Sequence, residues 1–122
     1  MRIPESEEMY LETIYLLNQK SAACHSIDVA AELNYSRPSV SRAVNLLQKK
    51  GYLLIARGGE LTLTEEGLKK ATAVYERHRV LTELLIKTGA DHALAEENAC
   101  RIEHVITPDM FEILKKFSER FQ

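Results

Sequence analysis

The sequence predicts a mainly α-helical protein with one short β-hairpin. Apolar residues recur with helical spacing along most of the 122 residues, which include only five glycines and three prolines. Gly58 and Gly59 lie between two short apolar segments and predict the turn of the hairpin. The hydrophobic fraction of 45% is ordinary for a globular protein. A chain of this length can form one domain, or one small module together with a set of further helices.

The boundaries of the predicted elements follow from capping and turn residues. The predicted helices span residues 5–18, 27–33, 39–50, 65–87, 91–106 and 108–121, and the hairpin spans residues 52–63. Ser26 and Ser36 are expected to cap the second and third helices. Pro38 and Pro108 stand in first turns, where the missing N–H is tolerated. Two short helices joined by a tight turn and followed by a hairpin predict a winged helix-turn-helix.

Charge is unevenly distributed along the chain, whose formal net charge is −2. No acidic residue occurs between Glu32 and Glu60, and that segment carries a charge of +5. The rest of the chain holds 11 basic and 18 acidic residues, which gives −7. A local positive surface on an acidic protein is typical of DNA binding, because phosphates attract it.

Polar and basic side chains at the start of the third helix and at the wing tip are the candidate DNA contacts. Serine and arginine in such positions can reach base edges and phosphates of double-stranded DNA. The candidates are Ser36, Arg37, Pro38, Ser39, Ser41, Arg42 and Arg57. Each residue alone could equally cap or solubilise a helix, but the agreement of helix, turn, basic helix and hairpin favours DNA binding. A winged helix used only for protein contacts is the alternative.

Cys100, Glu103 and His104 indicate a metal site. Their spacing of three and four residues on the predicted fifth helix places a thiol, a carboxylate and an imidazole on one face. All three are ligands for divalent transition metals. The alternative is a half-buried cysteine beside a solvated Glu–His pair.

Other possible ligands need the fold to bring them close. Met9 and Glu12 lie one turn apart on the first helix, and His78 lies mid-way along the fourth. We interpret the remaining thiol and imidazole groups as non-functional; they are Cys24, His25 and His92. Two cysteines are too few for a disulfide framework, which fits a reducing compartment.

Five segments, at residues 8–15, 63–67, 71–74, 77–79 and 99–105, resemble the diphtheria toxin repressor family of iron- and manganese-dependent regulators. They occur in the family's order and span nearly the whole chain. The resemblance implies that Met9, Cys100, Glu103 and His104 form the main metal site of the iron-responsive branch. Glu12 matches a carboxylate of the manganese branch, which carries carboxylates where this chain has Met9 and Cys100.

His78 matches a ligand of the family's second metal site, where the chain departs from the family pattern. Thr82 replaces the carboxylate expected one turn after His78, with Glu83 one position off, and Glu96 replaces a histidine of iron-type members. At the main site, thioether and thiolate ligands suit manganese poorly. We therefore expect Fe²⁺ in preference to Mn²⁺, with Co²⁺, Ni²⁺ or Zn²⁺ binding in vitro. Cys100 could bind through its sulfur or its backbone carbonyl.

The resemblance implies a winged helix-turn-helix DNA-binding domain at residues 1–64. A helical metal-binding and dimerisation domain follows at residues 65–122, and the first helix is expected to pack against it. The chain is then a metal-dependent transcriptional repressor that binds operator DNA as a homodimer. The apolar residues predicted to form the dimer core are Ile102, Val105, Ile106, Phe111, Ile113, Leu114 and Phe117.

The sequence also predicts where the protein is located, and it leaves two alternative functions open. No apolar run approaches the length of a membrane span, so we expect a cytoplasmic protein without a membrane partner. One rival is a winged-helix regulator controlled by an organic ligand or by oxidation of Cys100. Another is a small metalloenzyme that uses the Cys/Glu/His face.

Overall fold

Six helices and one antiparallel hairpin make up residues 5–21 and 23–120, the part of the chain that the computed structural model describes. The elements are α1 (Glu5–Lys20), α2 (Ser26–Leu33), α3 (Arg37–Lys49), β1 (Leu53–Ile55), β2 (Leu61–Leu63), α4 (Glu65–Lys87), α5 (His92–Ile102) and α6 (Pro108–Glu119). The predicted fold class is confirmed. The chain divides after Thr72 into two compact units, and α4 contributes residues to both.

The first unit is a winged helix-turn-helix built around one apolar core. Its helices α1, α2 and α3 contact one another, and the hairpin packs against α1 and α3. The largest fully buried apolar side chains of this unit are Leu11, Ile14, Val29, Val40, Leu53 and Leu61. These residues have the helical and strand spacings from which the elements were predicted. Burial of their apolar side chains therefore accounts for the helices and strands that form.

Helices α2 and α3 begin earlier than their sequence patterns suggest. The N-cap of α2 is His25 rather than Ser26, because the His25 N–H donates to the Asp28 carboxylate over 2.9 Å. Ser36 caps α3 as predicted, with its Oγ accepting from the Ser39 N–H at 3.3 Å. This cap places residues 37 and 38 in the first turn, so α3 begins two residues before the predicted start.

The wing is an antiparallel hairpin of two three-residue strands, in which Leu53 pairs with Leu63. Its second strand is attached to the loop before α2, because the Leu61 N–H donates to the Cys24 carbonyl over 2.7 Å. At the start of α4, Gly67 packs so closely on Tyr52 that an added Cβ would lie 1.9 Å from the Tyr52 carbonyl oxygen. Only glycine fits this contact without a backbone shift.

The second unit holds the later turns of α4 with α5 and α6 around a small core. Val80, Leu84 and Phe111 are buried there, with Ile106 and Leu114 packed against them. Helix α5 ends at Ile102, four residues earlier than predicted. Pro108 disfavours helical backbone at the residue before it, and Thr107 caps α6 instead. The predicted end of α6 at residue 121 lies outside the described residues.

Several predicted dimer-core residues differ in exposure. Phe111 is only 6% exposed and belongs to the core of its own unit, whereas Val105, Ile113 and Phe117 are 51%, 61% and 47% exposed. Within the described residues, no helix combines the length and apolar character needed to cross a membrane.

Candidate metal centre and nucleic-acid interface

The first turn of α3 carries a connected polar surface. Ser36 Oγ lies 2.8 Å from Ser39 Oγ, and Arg42 Nη2 donates to Ser39 Oγ over 3.4 Å. Arg37, like Arg42, is exposed. Ser36 and Pro38 complete the exposed face at the helix start, and Ser41 lies one turn further along. Local hydrogen bonds therefore hold the serine and arginine groups together on an accessible surface.

The tip of the wing presents Arg57 to solvent. Ala56 N–H donates to the Glu60 carbonyl over 2.9 Å, and Gly59 adopts a φ of +85° that glycine tolerates best. Arg57 is exposed between these two residues. The turn thus fixes the backbone at an exposed arginine between the two strands of the hairpin.

Among the described residues, Lys50 is the basic residue of the acid-free segment that forms an ion pair. Its Nζ lies 2.7 Å from Glu7 Oε2, and Lys70 Nζ lies 3.4 Å from Glu7 Oε1. Burial opposes ionisation of Glu7, but the hydrogen bond and charge of Lys50 and the charge of Lys70 outweigh it and lower the Glu7 pKa. Lys50 therefore contributes less to the positive surface than its sequence position suggests.

In the second unit, three of the predicted metal ligands converge. Glu103 caps the end of α5, and its Oε2 lies 2.8 Å from the Nδ1 of His78 on α4. Its Oε1 lies 3.3 Å from the Nε2 of His104 in the following turn. Glu103 is fully buried, and the His104 side chain is 4% exposed. A carboxylate and two imidazoles thus share a largely enclosed space.

The electrostatics of this cluster depend on Glu103. Complete burial would by itself raise the Glu103 pKa, but the imidazoles of His104 and His78 lower it below its ordinary value. The carboxyl group is therefore ionised at neutral pH. The Glu103 Oε1 atom is buried and has no hydrogen-bond partner of acceptable geometry among the described residues.

Glu96 extends the cluster toward solvent. Its Oε1 lies 3.7 Å from His78 Nε2, and its Oε2 lies 3.5 Å from His92 Nδ1. Glu96 departs from the family pattern in the sequence, and His92 gives no functional signal there. Glu96 precedes Glu103 by seven residues, two helical turns, and this spacing was the available indication that the two lie on one face. The Thr82 hydroxyl is hydrogen-bonded within α4, because its Oγ1 donates to the His78 carbonyl over 2.7 Å.

The remaining predicted ligands are Cys100, Met9 and Glu12. Cys100 is exposed, in contrast to the buried Glu103 and His104. Met9 and Glu12 lie half-buried on α1 in the first unit, where the Tyr35 hydroxyl donates to Met9 Sδ over 3.3 Å. Ligand roles for these three residues stay predictions.

The donor set fits a divalent transition metal. An ionised carboxylate without access to water is costly unless it is paired or bound to a metal. Glu103 is flanked by two imidazoles, which are common ligands of such ions, and retains one unsatisfied oxygen. His78, Glu103 and His104 could therefore hold the ion, with Cys100 and Glu96 near the exposed side of α5.

Comparison with known proteins assigns the DNA-binding part and the metal-binding part of the chain to one family. Residues 3–59 match the iron-dependent repressor N-terminal DNA-binding domain, and residues 64–122 match the iron-dependent repressor metal-binding and dimerisation domain. The chain belongs to the iron-dependent repressor family. Members of this family are metal-dependent transcriptional repressors rather than enzymes, which removes the metalloenzyme alternative.

Two individual proteins illustrate the similarity of this iron-dependent repressor family member to its relatives. An uncharacterized HTH-type transcriptional regulator of Methanocaldococcus jannaschii is 31% identical over 120 residues, covering 97% of this chain and 96% of that protein. The iron-dependent repressor IdeR of Mycobacterium tuberculosis is 35% identical over 113 residues, covering 92% of this chain and 49% of IdeR. The chain thus spans about half the length of IdeR.

Solved structures similar to this iron-dependent repressor family member include regulators named for different metals. The T. acidophilum IdeR structure has a TM-score of 0.81 at 28% identity, covering 93% of this chain and 52% of that one. The manganese regulator SloR has a TM-score of 0.80 at 27% identity, covering 91% and 52%. Divalent metal dependence is common to the family, and these likenesses do not distinguish iron from manganese.

Proposed function

We propose that this chain is a homodimeric transcriptional repressor that binds operator DNA when Fe²⁺ occupies a site around Glu103. The observation that supports this most strongly is the fully buried, ionised Glu103 carboxylate between His78 and His104. Mn²⁺ is the alternative effector. Residues 1–64 would carry DNA binding, and residues 65–122 would carry metal binding and dimerisation.

The proposed ligand set favours iron over manganese because it includes soft sulfur ligands. It consists of Met9, Glu12, His78, Cys100, Glu103 and His104. When bound, the divalent ion would supply positive charge to the buried carboxylate and link side chains from α1, α4 and α5. Thioether and thiolate donors suit manganese poorly, and iron availability in cells would then select the metal.

Coupling between metal and DNA would operate by population shift. Ligands from three helices can act together only in arrangements that bring them within one coordination shell. Metal binding would therefore favour those arrangements over others in the ensemble. In a dimer, the favoured arrangement would fix the spacing of the two α3 helices, which must match half-sites about one helical turn or a multiple apart.

The α3 surface and the wing would contact different parts of the operator DNA. Ser36, Ser39 and Arg42 are held by one another and would contact base edges or phosphates in the major groove. Arg57 would contact backbone phosphate or the minor groove. In the dimer, the exposed apolar side chains of Ile113 and Phe117 would be covered by the second copy.

The test is fluorescence anisotropy of a labelled promoter fragment from the protein's own locus, under anaerobic conditions. Titrations would be run without metal, with Fe²⁺ and with Mn²⁺. Metal-dependent binding that is tighter with Fe²⁺ supports the proposal, and tighter binding with Mn²⁺ would establish the alternative effector. Equal binding with and without metal would contradict the metal switch and favour control by an organic ligand or by Cys100 oxidation.

A further inference from the structure

Tyr35 occupies the turn between α2 and α3, directly before the cap of the DNA-binding helix. The preceding residue, Asn34, adopts a left-handed conformation with φ of 57°. The Tyr35 N–H donates to the Ala30 carbonyl over 3.1 Å, which fixes the backbone of the turn. The next residue is Ser36, whose side chain caps α3. Tyr35 thus has a defined backbone position although it is 41% exposed.

The Tyr35 side chain is held by two neighbouring residues of α1. Its hydroxyl donates to Met9 Sδ over 3.3 Å. Its ring packs edge-on against the buried Tyr10, with ring centroids 6.0 Å apart and an interplanar angle of 63°. The ring contact orients the phenol, and the hydroxyl in turn restrains the methionine sulfur.

We propose that Tyr35 is a positioning residue for the Met9 thioether as a metal ligand. The inference rests on the proposed function, because it requires Met9 to bind the metal. A thioether sulfur has two lone pairs, so one can accept from Tyr35 while the other remains available to a soft ion. Methionine has a flexible side chain, and ordering it only when metal binds would cost conformational entropy.

The Tyr35 hydroxyl removes part of that cost by ordering Met9 before metal arrives. Groups that orient metal ligands typically change metal affinity by about 10- to 100-fold when mutated. One hydrogen bond to an uncharged sulfur should lie at the lower end of this range. The effect should also depend on the metal, since Mn²⁺ gains little from a thioether.

The experiment is an anaerobic metal titration of the full chain without DNA. Co²⁺ binding is followed by absorption and Mn²⁺ binding by calorimetry, for the parent, Tyr35→Phe, Met9→Leu and the double variant. Tyr35→Phe should weaken Co²⁺ binding about 10-fold, while the Mn²⁺ affinity changes by less than about twofold. The double variant should bind Co²⁺ no more weakly than Met9→Leu, because both changes act on one ligand.

Tyr10→Phe is the matched control, since it removes a hydroxyl from the other ring of the pair and should leave Co²⁺ affinity unchanged. Phenylalanine at position 35 keeps the ring contact with Tyr10, so the variant should fold normally. If Tyr35→Phe binds Co²⁺ like the parent while Met9→Leu binds weakly, the positioning role is wrong and the metal function stands. If Met9→Leu has parental affinity, Met9 is not a metal ligand, and both the ligand role of Met9 and the positioning role of Tyr35 are wrong. A further loss in the double variant would also overturn the inference.

Discussion

The Nδ1 atom of His78 on α4 lies 2.8 Å from Oε2 of Glu103 at the end of α5. The two residues are 25 positions apart in the chain, and the contact joins a half-buried imidazole to a carboxylate that is inaccessible to solvent. A histidine whose Nδ1 is held by a carboxylate keeps a fixed ring orientation, which is a common arrangement around bound metals. We therefore expect the proposed metal centre to depend more on Glu103 than on any other of its ligands.

Glu103→Gln should therefore weaken Fe²⁺ or Co²⁺ binding by about 100-fold, because it removes the buried negative charge while keeping the side-chain shape. Calorimetric metal titration of the full chain would measure the change. Glu97→Gln is the matched control, since Glu97 is exposed and pairs with Arg101 at 3.3 Å. Similar metal affinities for both variants would argue against a metal centre at Glu103.

If Arg57 contacts phosphate, Arg57→Ala should weaken DNA binding nearly equally for operator and unrelated duplexes, because phosphates carry no sequence information. Each lost phosphate contact should reduce the slope of log K against log salt by about 0.9, or about 1.8 for two subunits. Anisotropy titrations at several salt concentrations would test this. Lys20→Ala, at the exposed end of α1, is the control; an unchanged slope in Arg57→Ala would remove Arg57 from the interface.

Arg42→Ala should instead reduce discrimination between operator and unrelated DNA, by about 1–3 kcal/mol if Arg42 reads a guanine. Its position beside Ser39 on α3 supports base contact. Competition titrations with single-base operator variants would locate the base. A uniform loss on all sequences would show that Arg42 contacts phosphate only.

The two thiols should differ sharply in alkylation. Burial raises the pKa of the Cys24 thiol to about 11, with a smaller contribution from Asp28, whereas Cys100 is exposed. At pH 8, iodoacetamide should modify Cys100 and spare Cys24 in the folded protein, as peptide mass spectrometry would show. Reaction at Cys24 should require unfolding, since the thiolate population grows only as pH approaches its pKa. Rapid labelling of folded Cys24 would contradict its burial.

The same assay distinguishes the two ways in which Cys100 could bind metal. Ligation through sulfur should slow alkylation of Cys100 when Co²⁺ is present, whereas ligation through the backbone carbonyl should leave the rate unchanged. Cys24, which should stay unmodified, reports in each sample that the protein remains folded.

Gly67→Ala should destabilise the first unit by about 1–3 kcal/mol, because its Cβ would overlap the Tyr52 carbonyl. Gly58→Ala is the matched control, since a Cβ there would meet only Glu60 Oε1 at 4.0 Å. Urea unfolding followed by circular dichroism would compare the two free energies of unfolding. Equal stabilities would show that α4 can shift away from Tyr52 at little cost.

The sequence by itself determined the order and type of the elements. The apolar spacing of α1 to α4, the Ser36 cap and the Gly-Gly wing turn are local features, so short-range physics was enough to predict them. The same holds for the DNA-binding candidates of α3, because cap, turn and charge lie within one continuous segment. The fifth helix was predicted to begin one residue too early and to end four residues too late.

Only the tertiary structure decided which chemical groups meet. Spacing placed Cys100, Glu103 and His104 on one face, but it did not reveal that Glu103 is fully buried while Cys100 is exposed. The contacts of His78 with Glu103 and of Tyr35 with Met9 each join residues at least 25 positions apart. Such pairs depend on how helices pack, and helical periodicity carries no information about a partner on another helix.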